Sequence, residues 1–331
     1  MSRRHRRRKK RSGLIVLAVI LALIVGGGAA GFGYVNRFLG KINRTDDSAL
    51  VTVAPENEDF ETEENNGLEE LSPEDVVWAD EEMLDDDDLL NILLVGQDRR
   101  PGEGRQRSDA MIVLSINPKA KKASMISFLR DLYVQIPGYT DNRLNAAYAF
   151  GGFPLLKSTL NKNFGISIDG CFEVDFDGFR ALIDQIGGVE INLTAAEAAR
   201  IGGKAHEGDN LLDGQYALAY ARIRKIGTDF ERTNRQRKVL MAAFSKIRTR
   251  PVAEIMTLIE NAMPYLTTDM KNTEIYSLAA KLLPLAGAAD IQTYHVPPDG
   301  TYSDVYIRGM AVLYPDLAAI RSILRNEYLP F

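Results

Sequence analysis

The chain has 331 residues, 45% of them hydrophobic, and a formal net charge of −5. That length accommodates one large domain or two small ones with a real core. A single cysteine, Cys171, excludes an intrachain disulfide, and three histidines with no HExxH or CxxC spacing exclude a His/Cys zinc site.

The net charge hides a segregation. Every residue from Arg3 to Arg11 is Arg, Lys or His, whereas residues 46–88 are rich in Asp and Glu and hold no Lys or Arg. The rest of the chain keeps a slight basic excess, which suits an anionic ligand. Residues 13–35 carry no charge. As a helix they would rise about 34 Å, enough to cross a hydrocarbon core of about 30 Å. That stretch is too long for the apolar core of a cleavable signal peptide. A basic tail (1–12) before the span (13–35) predicts a cytoplasmic N-terminus and an external remainder. The tail alone could also be a nucleic-acid patch, but directly before an apolar span it is more simply a topology signal. The acidic segment (36–88) is expected to be a mostly disordered spacer that lets the domain stand off the membrane.

The folded domain is expected over residues 89–331. Residues 91–95, 110–116 and 123–128 are short apolar runs, as in strands buried on both faces. Residues 144–150 and 154–164 read as helices, 171–174 as a strand, and 176–186 as a helix closed by Gly187-Gly188. A strand at 189–193, helices at 213–220, 232–248 and within 252–285, a strand at 291–296 and a helix at 316–326 complete the order. Alternation of strands and helices predicts an α/β class with helices on both faces of a central sheet. Cys171, in an apolar run, reads as a small buried hydrophobe.

Three constellations carry chemistry. Asp98 follows the first strand and Asp109 opens the second. If those strands pair antiparallel, both carboxylates meet at one edge. There they form either a Mg²⁺ site, since Mg²⁺ takes one or two carboxylates with phosphate and water, or a solvated charged loop. Arg130-Asp131 follows the third strand and reads as a surface ion pair or a part of the same site. The third is Tyr220-Ala221-Arg222-Ile223-Arg224, leading through Asp229 to Arg232, Arg235 and Gln236. In an extended stretch Arg222 and Arg224 would share one side. Continuing the apolar stripe of the next helix backward reaches Arg232, Arg235 and Gln236. Such groups need partners, and an anion at a helix N-terminus would supply one.

These motifs, with Asn91-Ile92-Leu93-Leu94-Val95-Gly96-Gln97-Asp98-Arg99-Arg100, Arg107-Ser108-Asp109 and Arg143-Leu144-Asn145-Ala146-Ala147-Tyr148, resemble the LytR–CpsA–Psr family over about residues 89–250. The resemblance implies a three-layer α/β/α extracellular domain on one membrane anchor, in a Gram-positive-type envelope. It implies a Mg²⁺-dependent phosphotransferase that moves teichoic acid or capsular polysaccharide from an undecaprenyl-pyrophosphate carrier to peptidoglycan. Asp98 and Asp109 match the family's metal-binding aspartates. Arg100, Arg130, Arg222, Arg224, Arg232 and Gln236 match its pyrophosphate-binding residues, with Arg235 in the same motif and Arg143 where a Lys is common. Phe128-Leu129 replaces Ile-Pro, and Ala110 replaces a Thr. Asp131 and Asp229 are both candidates for the base acting on the acceptor hydroxyl. The alternatives are a non-catalytic regulator that binds polyprenyl phosphates and a polyprenyl pyrophosphatase. No nucleic-acid partner is expected, since no helix-turn-helix is evident.

Overall fold

The structure is a computed structural model, and it describes residues 36–37, 39–45, 53–80, 82–84, 88–97, 104–282 and 290–331. The basic tail and the apolar span at 13–35 lie outside the described residues, as do Asp98 and Arg100. Among the described residues no helix is long and apolar enough to cross a membrane. The chain divides into two units. The first takes in the described residues up to Arg44, Pro118–Lys122 and Val174–Asp290; the second takes in Thr45–Asn117, Ala123–Glu173 and Ile291–Phe331. The class is mixed α/β with a central mixed sheet.

In the second unit the strands Gly170–Asp175, Leu90–Gln97, Ser108–Asn117, Lys122–Phe128 and Asp290–Val296 lie side by side in that order. The apolar runs of Leu90–Gln97, Ser108–Asn117 and Lys122–Phe128 are buried almost throughout, with Leu93, Val113 and Ile126 fully enclosed. Leu90–Gln97 and Ser108–Asn117 pair antiparallel from Leu90↔Ile116 to Gly96↔Ala110, and an irregularity then sets Gln97 opposite Ser108. The helix Leu144–Phe164 breaks at Gly151-Gly152, where Gly152 takes φ 63°, ψ −150°. Only glycine adopts that conformation without strain, so the two helices expected at 144–150 and 154–164 are the two arms of a kinked one. Phe128 and Phe164 meet in the core with ring centroids 5.0 Å apart. Cys171, in Gly170–Asp175, is buried, as the apolar run predicts.

A second small sheet orders Met310–Pro315, Tyr302–Ile307 and Glu69–Glu70. The first two form a hairpin closed by Arg308 and Gly309, both at positive φ. Sequence reading missed this hairpin, although Arg308-Gly309 carries the turn signal. The closing helix, Leu317–Ile323, is capped by Asp316 and continues as a π-helical turn, Leu324–Tyr328.

The acidic segment is not a free spacer. Glu69–Glu70 adds a parallel strand beside Val305 and Tyr306. Phe60, Leu71, Val76 and Trp78 pack on Tyr133, Val305, Ile307, Met310 and Val312. Trp78 stacks on Tyr133 at 5.9 Å and donates its indole N–H to Asp141 Oδ2 at 2.9 Å. The acids stand mostly outward while a few apolar residues among them dock, and composition averaged over the segment conceals that division.

In the first unit the hairpin Val189–Leu193/Gly208–Leu212 and the helices Phe176–Gln185, Gly214–Ala221 and Asp229–Ile247 enclose Ile183, Val189, Leu193, Ala217, Tyr220 and Val239. The described residues before Arg44 belong to this unit. Asn36 Oδ1 accepts from Asn272 and from Tyr276 at 3.1 and 3.0 Å, and Leu39 and Ile42 are buried with Met263. Asn43–Arg44 then runs parallel to Thr267–Thr268.

Candidate functional site

In the second unit the strand ends gather charge. Antiparallel pairing brings the exit of Leu90–Gln97 and the entry of Ser108–Asn117 together, as the two-aspartate reading requires of the backbone. Asp109 is described and Asp98 is not. Arg130, just past Lys122–Phe128, is held between two carboxylates: Nη1 lies 3.0 Å from Asp109 Oδ1 and Nε 3.4 Å from Asp131 Oδ2. All three side chains are about a fifth to a quarter exposed, so the cluster is sheltered yet reachable. Arg143, in the short strand Asn142–Arg143, is buried with Nε 3.8 Å from Asp131 Oδ1. Its Nη2 donates to the Ala311 carbonyl at 2.8 Å and to the Glu63 carboxylate.

Sequence reading overlooked Arg107 as a member of this cluster, although it stands in the quoted Arg107-Ser108-Asp109. Its guanidinium donates to the Asp59 carbonyl at 2.6 Å and to Asn145 Oδ1 at 3.3 Å, with Glu61 Oε1 at 3.3 Å. Burial pulls Arg107 below its ordinary pKa, against the opposing charges of Glu61 and Asp59. Asp59, Glu61 and Glu63 were missed too, because a run of acids far along the chain carries no sequence signal of its distant partners.

The first unit holds the arginine-rich motif, and two local readings change. Arg222 is not in an extended stretch. It caps the helix Gly214–Ala221 at φ −101°, ψ 4°, its N–H bonded to the Leu218 and Ala219 carbonyls. The Ala- and Tyr-rich run carries the helix to that point. The Arg222 guanidinium lies 4.2 Å from the centre of the Phe176 ring, and Arg224 is exposed. The next helix begins at Asp229, a turn earlier than expected, and Glu231 accepts the Thr228 N–H. Acids thus fill the first turn, where they complement the helix dipole, and Arg232 sits in the second turn.

Arg232 is buried and paired with Asp229 at 2.7 Å. Gln236 is half-buried, with an Oε1 that has no hydrogen-bond partner. Arg235 turns inward: Nε meets Glu197 Oε1 at 2.9 Å, Nη1 the Ile223 carbonyl at 3.1 Å and Nη2 the Ile226 carbonyl at 2.9 Å. Each of its three nitrogens is thus engaged by the fold itself. Burial acts to raise the Glu197 pKa, but hydrogen bonds from Thr194 and Arg235 outweigh it and hold the carboxyl below its ordinary value. Beside this pair, burial foremost and then the Glu197 charge push the Tyr220 phenol up to about 12.

Among the described residues no three His, Cys, Asp or Glu side chains group as a ready metal cage. Asp109 offers a hard oxygen and Asp98 would be a second. That donor set fits Mg²⁺, which takes few protein ligands and completes its shell with phosphate and water.

The chain is similar to proteins of known kind. "Regulatory protein MsrR" of Staphylococcus aureus (strain COL) is 33% identical over 223 residues, covering 66% of this chain and 68% of its own. "Polyisoprenyl-teichoic acid–peptidoglycan teichoic acid transferase TagU" of Oceanobacillus iheyensis is 42% identical over 168 residues, covering 48% and 52%. Among solved structures, "TagT bound to LI-WTA" matches with a TM-score of 0.60 at 26% identity, covering 73% of this chain and 91% of that one. TagV of Bacillus subtilis matches at 0.59 and 30%, covering 74% and 99%. The match to the LytR_cpsA_psr family spans residues 45–326, and the chain belongs to that family.

Proposed function

We propose that the protein is a transferase that moves an anionic glycopolymer, of the teichoic acid or capsular type, from an undecaprenyl-pyrophosphate carrier to peptidoglycan. The observation that carries this reading is Arg130, a guanidinium held half-sheltered between Asp109 and Asp131. A forked donor fixed in this way is oriented for phosphate oxygens before substrate arrives. Similarity to TagU, named a teichoic acid transferase, and to TagT bound to LI-WTA supports the same chemistry.

In the reaction, the acceptor hydroxyl of peptidoglycan attacks the phosphorus next to the sugar. The bond to the bridging oxygen breaks, and polyprenyl monophosphate leaves. Arg100, Arg130, Arg143, Arg222, Arg224, Arg232 and Gln236 are proposed as pyrophosphate-binding residues on the motifs in which they stand. Arg235 is left out, since its nitrogens already have partners. Asp98 and Asp109 would hold Mg²⁺, which would neutralise phosphate charge. Asp131 or Asp229 would take the hydroxyl proton. Catalysis of this kind rests on positioning and electrostatics.

The apolar stretch 13–35 is proposed as the membrane anchor, with the N-terminus cytoplasmic and the remainder outside. Protease added to intact protoplasts should digest the domain. A domain that survives until lysis would overturn this topology. The name of MsrR favours a second reading, a regulator that binds polyprenyl phosphates without turnover. Incubating the full chain with lipid-linked polymer, Mg²⁺ and peptidoglycan separates the readings. Polymer joined to peptidoglycan supports the transferase, released polymer phosphate indicates a pyrophosphatase, and binding without turnover indicates the regulator.

A further inference from the structure

Arg105 stands outside every motif considered so far, in the segment leading into Ser108–Asn117. Its guanidinium lies over the ring of Tyr148, whose centre is 5.7 Å from Arg105 Cζ, within the second unit. Tyr148 is itself immobilised, buried with its hydroxyl bonded to the buried Glu173 carboxylate. Close to it is Gly152 at φ +63°, at the break of the helix Leu144–Phe164. A Cβ at Gly152 would lie 2.6 Å from Arg105 Cζ, and 2.7 and 2.9 Å from Nη2 and Nη1. The helix therefore opens, at a residue with no side chain, where the guanidinium lies.

The end of this side chain is unfinished. Arg105 Nη1 is buried and has no hydrogen-bond partner. Arg107, Arg130 and Arg143 nearby in sequence or cluster all face carboxylates. A charged donor removed from water without an acceptor bears its full desolvation penalty. A fold that buries the tip of such a group and leaves it unmatched is suited to an acceptor that arrives with a ligand. A planar, charged fork selects an anionic oxygen as that acceptor.

We propose that Arg105, over the Tyr148 ring and close to the bare backbone of Gly152, is an additional phosphate-binding residue of this protein. The inference rests on the transferase reading, because that reading supplies phosphates in two places. One is the carrier pyrophosphate; the other is the phosphodiester backbone of the polymer.

The test measures binding to the detergent-solubilised full chain by calorimetry, with two probes in Mg²⁺ buffer. Geranylgeranyl pyrophosphate represents the carrier, and a short oligo(glycerol phosphate) represents the polymer. Arg105→Gln should weaken one of the two on the order of tenfold or more, as expected for one charge-assisted hydrogen bond. Loss confined to the prenyl probe assigns Arg105 to the carrier, and loss confined to the oligomer assigns it to the polymer. The variant should melt no lower than the parent, because it removes an unmatched buried charge. Should Arg105→Gln fail to fold, Arg105→Lys decides the matter, since an ammonium keeps the charge but cannot donate as a fork. A folded variant that binds both probes as the parent does overturns the proposal. If the parent itself binds neither probe, the transferase reading falls, and this inference with it.

Discussion

Replacing Arg235 by Met tests whether this arginine serves the fold or the substrate. The change leaves Glu197, only a tenth exposed, without its guanidinium partner, and strips the Ile223 and Ile226 carbonyls of their donors. Breaking a buried ion pair from one side costs about 3–5 kcal/mol. Glu197 keeps the Thr194 N–H at 3.0 Å and the Thr194 hydroxyl at 3.2 Å, so the lower end applies, about 3 kcal/mol. At about 2–4 °C per kcal/mol for a domain of this size, the melting temperature should fall by roughly 6–12 °C. The loss should depend on pH in a defined sense. Glu197 is depressed in the folded state, so its contribution is present above the ordinary carboxyl range and is lost as pH falls through the folded value. The gap between parent and variant should therefore be widest near pH 7 and narrow as pH falls below the ordinary carboxyl range, leaving the share due to the two carbonyl hydrogen bonds. Circular dichroism melts at several pH values measure it. A variant that melts with the parent but no longer transfers polymer would place Arg235 on the substrate and refute the structural role.

Asp98→Ala and Asp109→Asn should each cut Mg²⁺-dependent transfer by on the order of tenfold while leaving the fold intact, since the Asp109–Arg130 pair is in reach of solvent and Arg130 keeps Asp131 as a partner. Full activity with a normal Mg²⁺ titration would remove that residue from the metal site. Arg222→Lys and Arg232→Lys should both reduce transfer on the order of tenfold, but they should differ in melting. Arg222 is exposed and its loss should leave the melting point in place, whereas Arg232, buried against Asp229, should lower it. Normal transfer by either Lys variant would mean that the fork is not needed there. Asp141 is raised, mainly by burial, with the Trp78 hydrogen bond acting against the rise. Asp141→Asn should therefore be neutral or slightly stabilising at pH 7, with the difference fading as pH falls and the parent carboxyl gains its proton; a marked drop in melting temperature at pH 7 would contradict this.

What the sequence made legible was the frame. The apolar runs at 91–95, 110–116 and 123–128 lie inside the strands Leu90–Gln97, Ser108–Asn117 and Lys122–Phe128, because strands buried on both faces have few other compositions available. The break between two helices at Gly151-Gly152 was legible for a similar reason: only glycine tolerates Gly152's backbone. Arg130-Asp131 was correctly set at a strand end, yet nothing local revealed that Arg130 reaches Asp109. The arginine motif was harder. Alternation of Arg222 and Arg224 imitates a strand, but the helix before it runs on to Arg222. Placing the next helix start at Arg232 overlooked Asp229 and Glu231, which are the better first-turn residues. Arg235 looked like a ligand because its acceptors, Glu197 and two carbonyls, come from segments that only the fold brings together.

The hydrogen bonds of Asn36 set the protein's working radius. With the proposed anchor ending at Val35, the very next residue is clamped by Asn272 and Tyr276, and Leu39 and Ile42 are sunk beside Met263. Such an anchor would leave no leash between bilayer and first unit, since one residue spans at most about 3.6 Å. A protein so anchored could not sweep a volume of wall. It would diffuse in two dimensions with its first unit held at the lipid surface, where a prenyl chain presents its phosphates. Its encounters with carrier would then be governed by lateral mobility, and the peptidoglycan strands within reach would be those nearest the membrane.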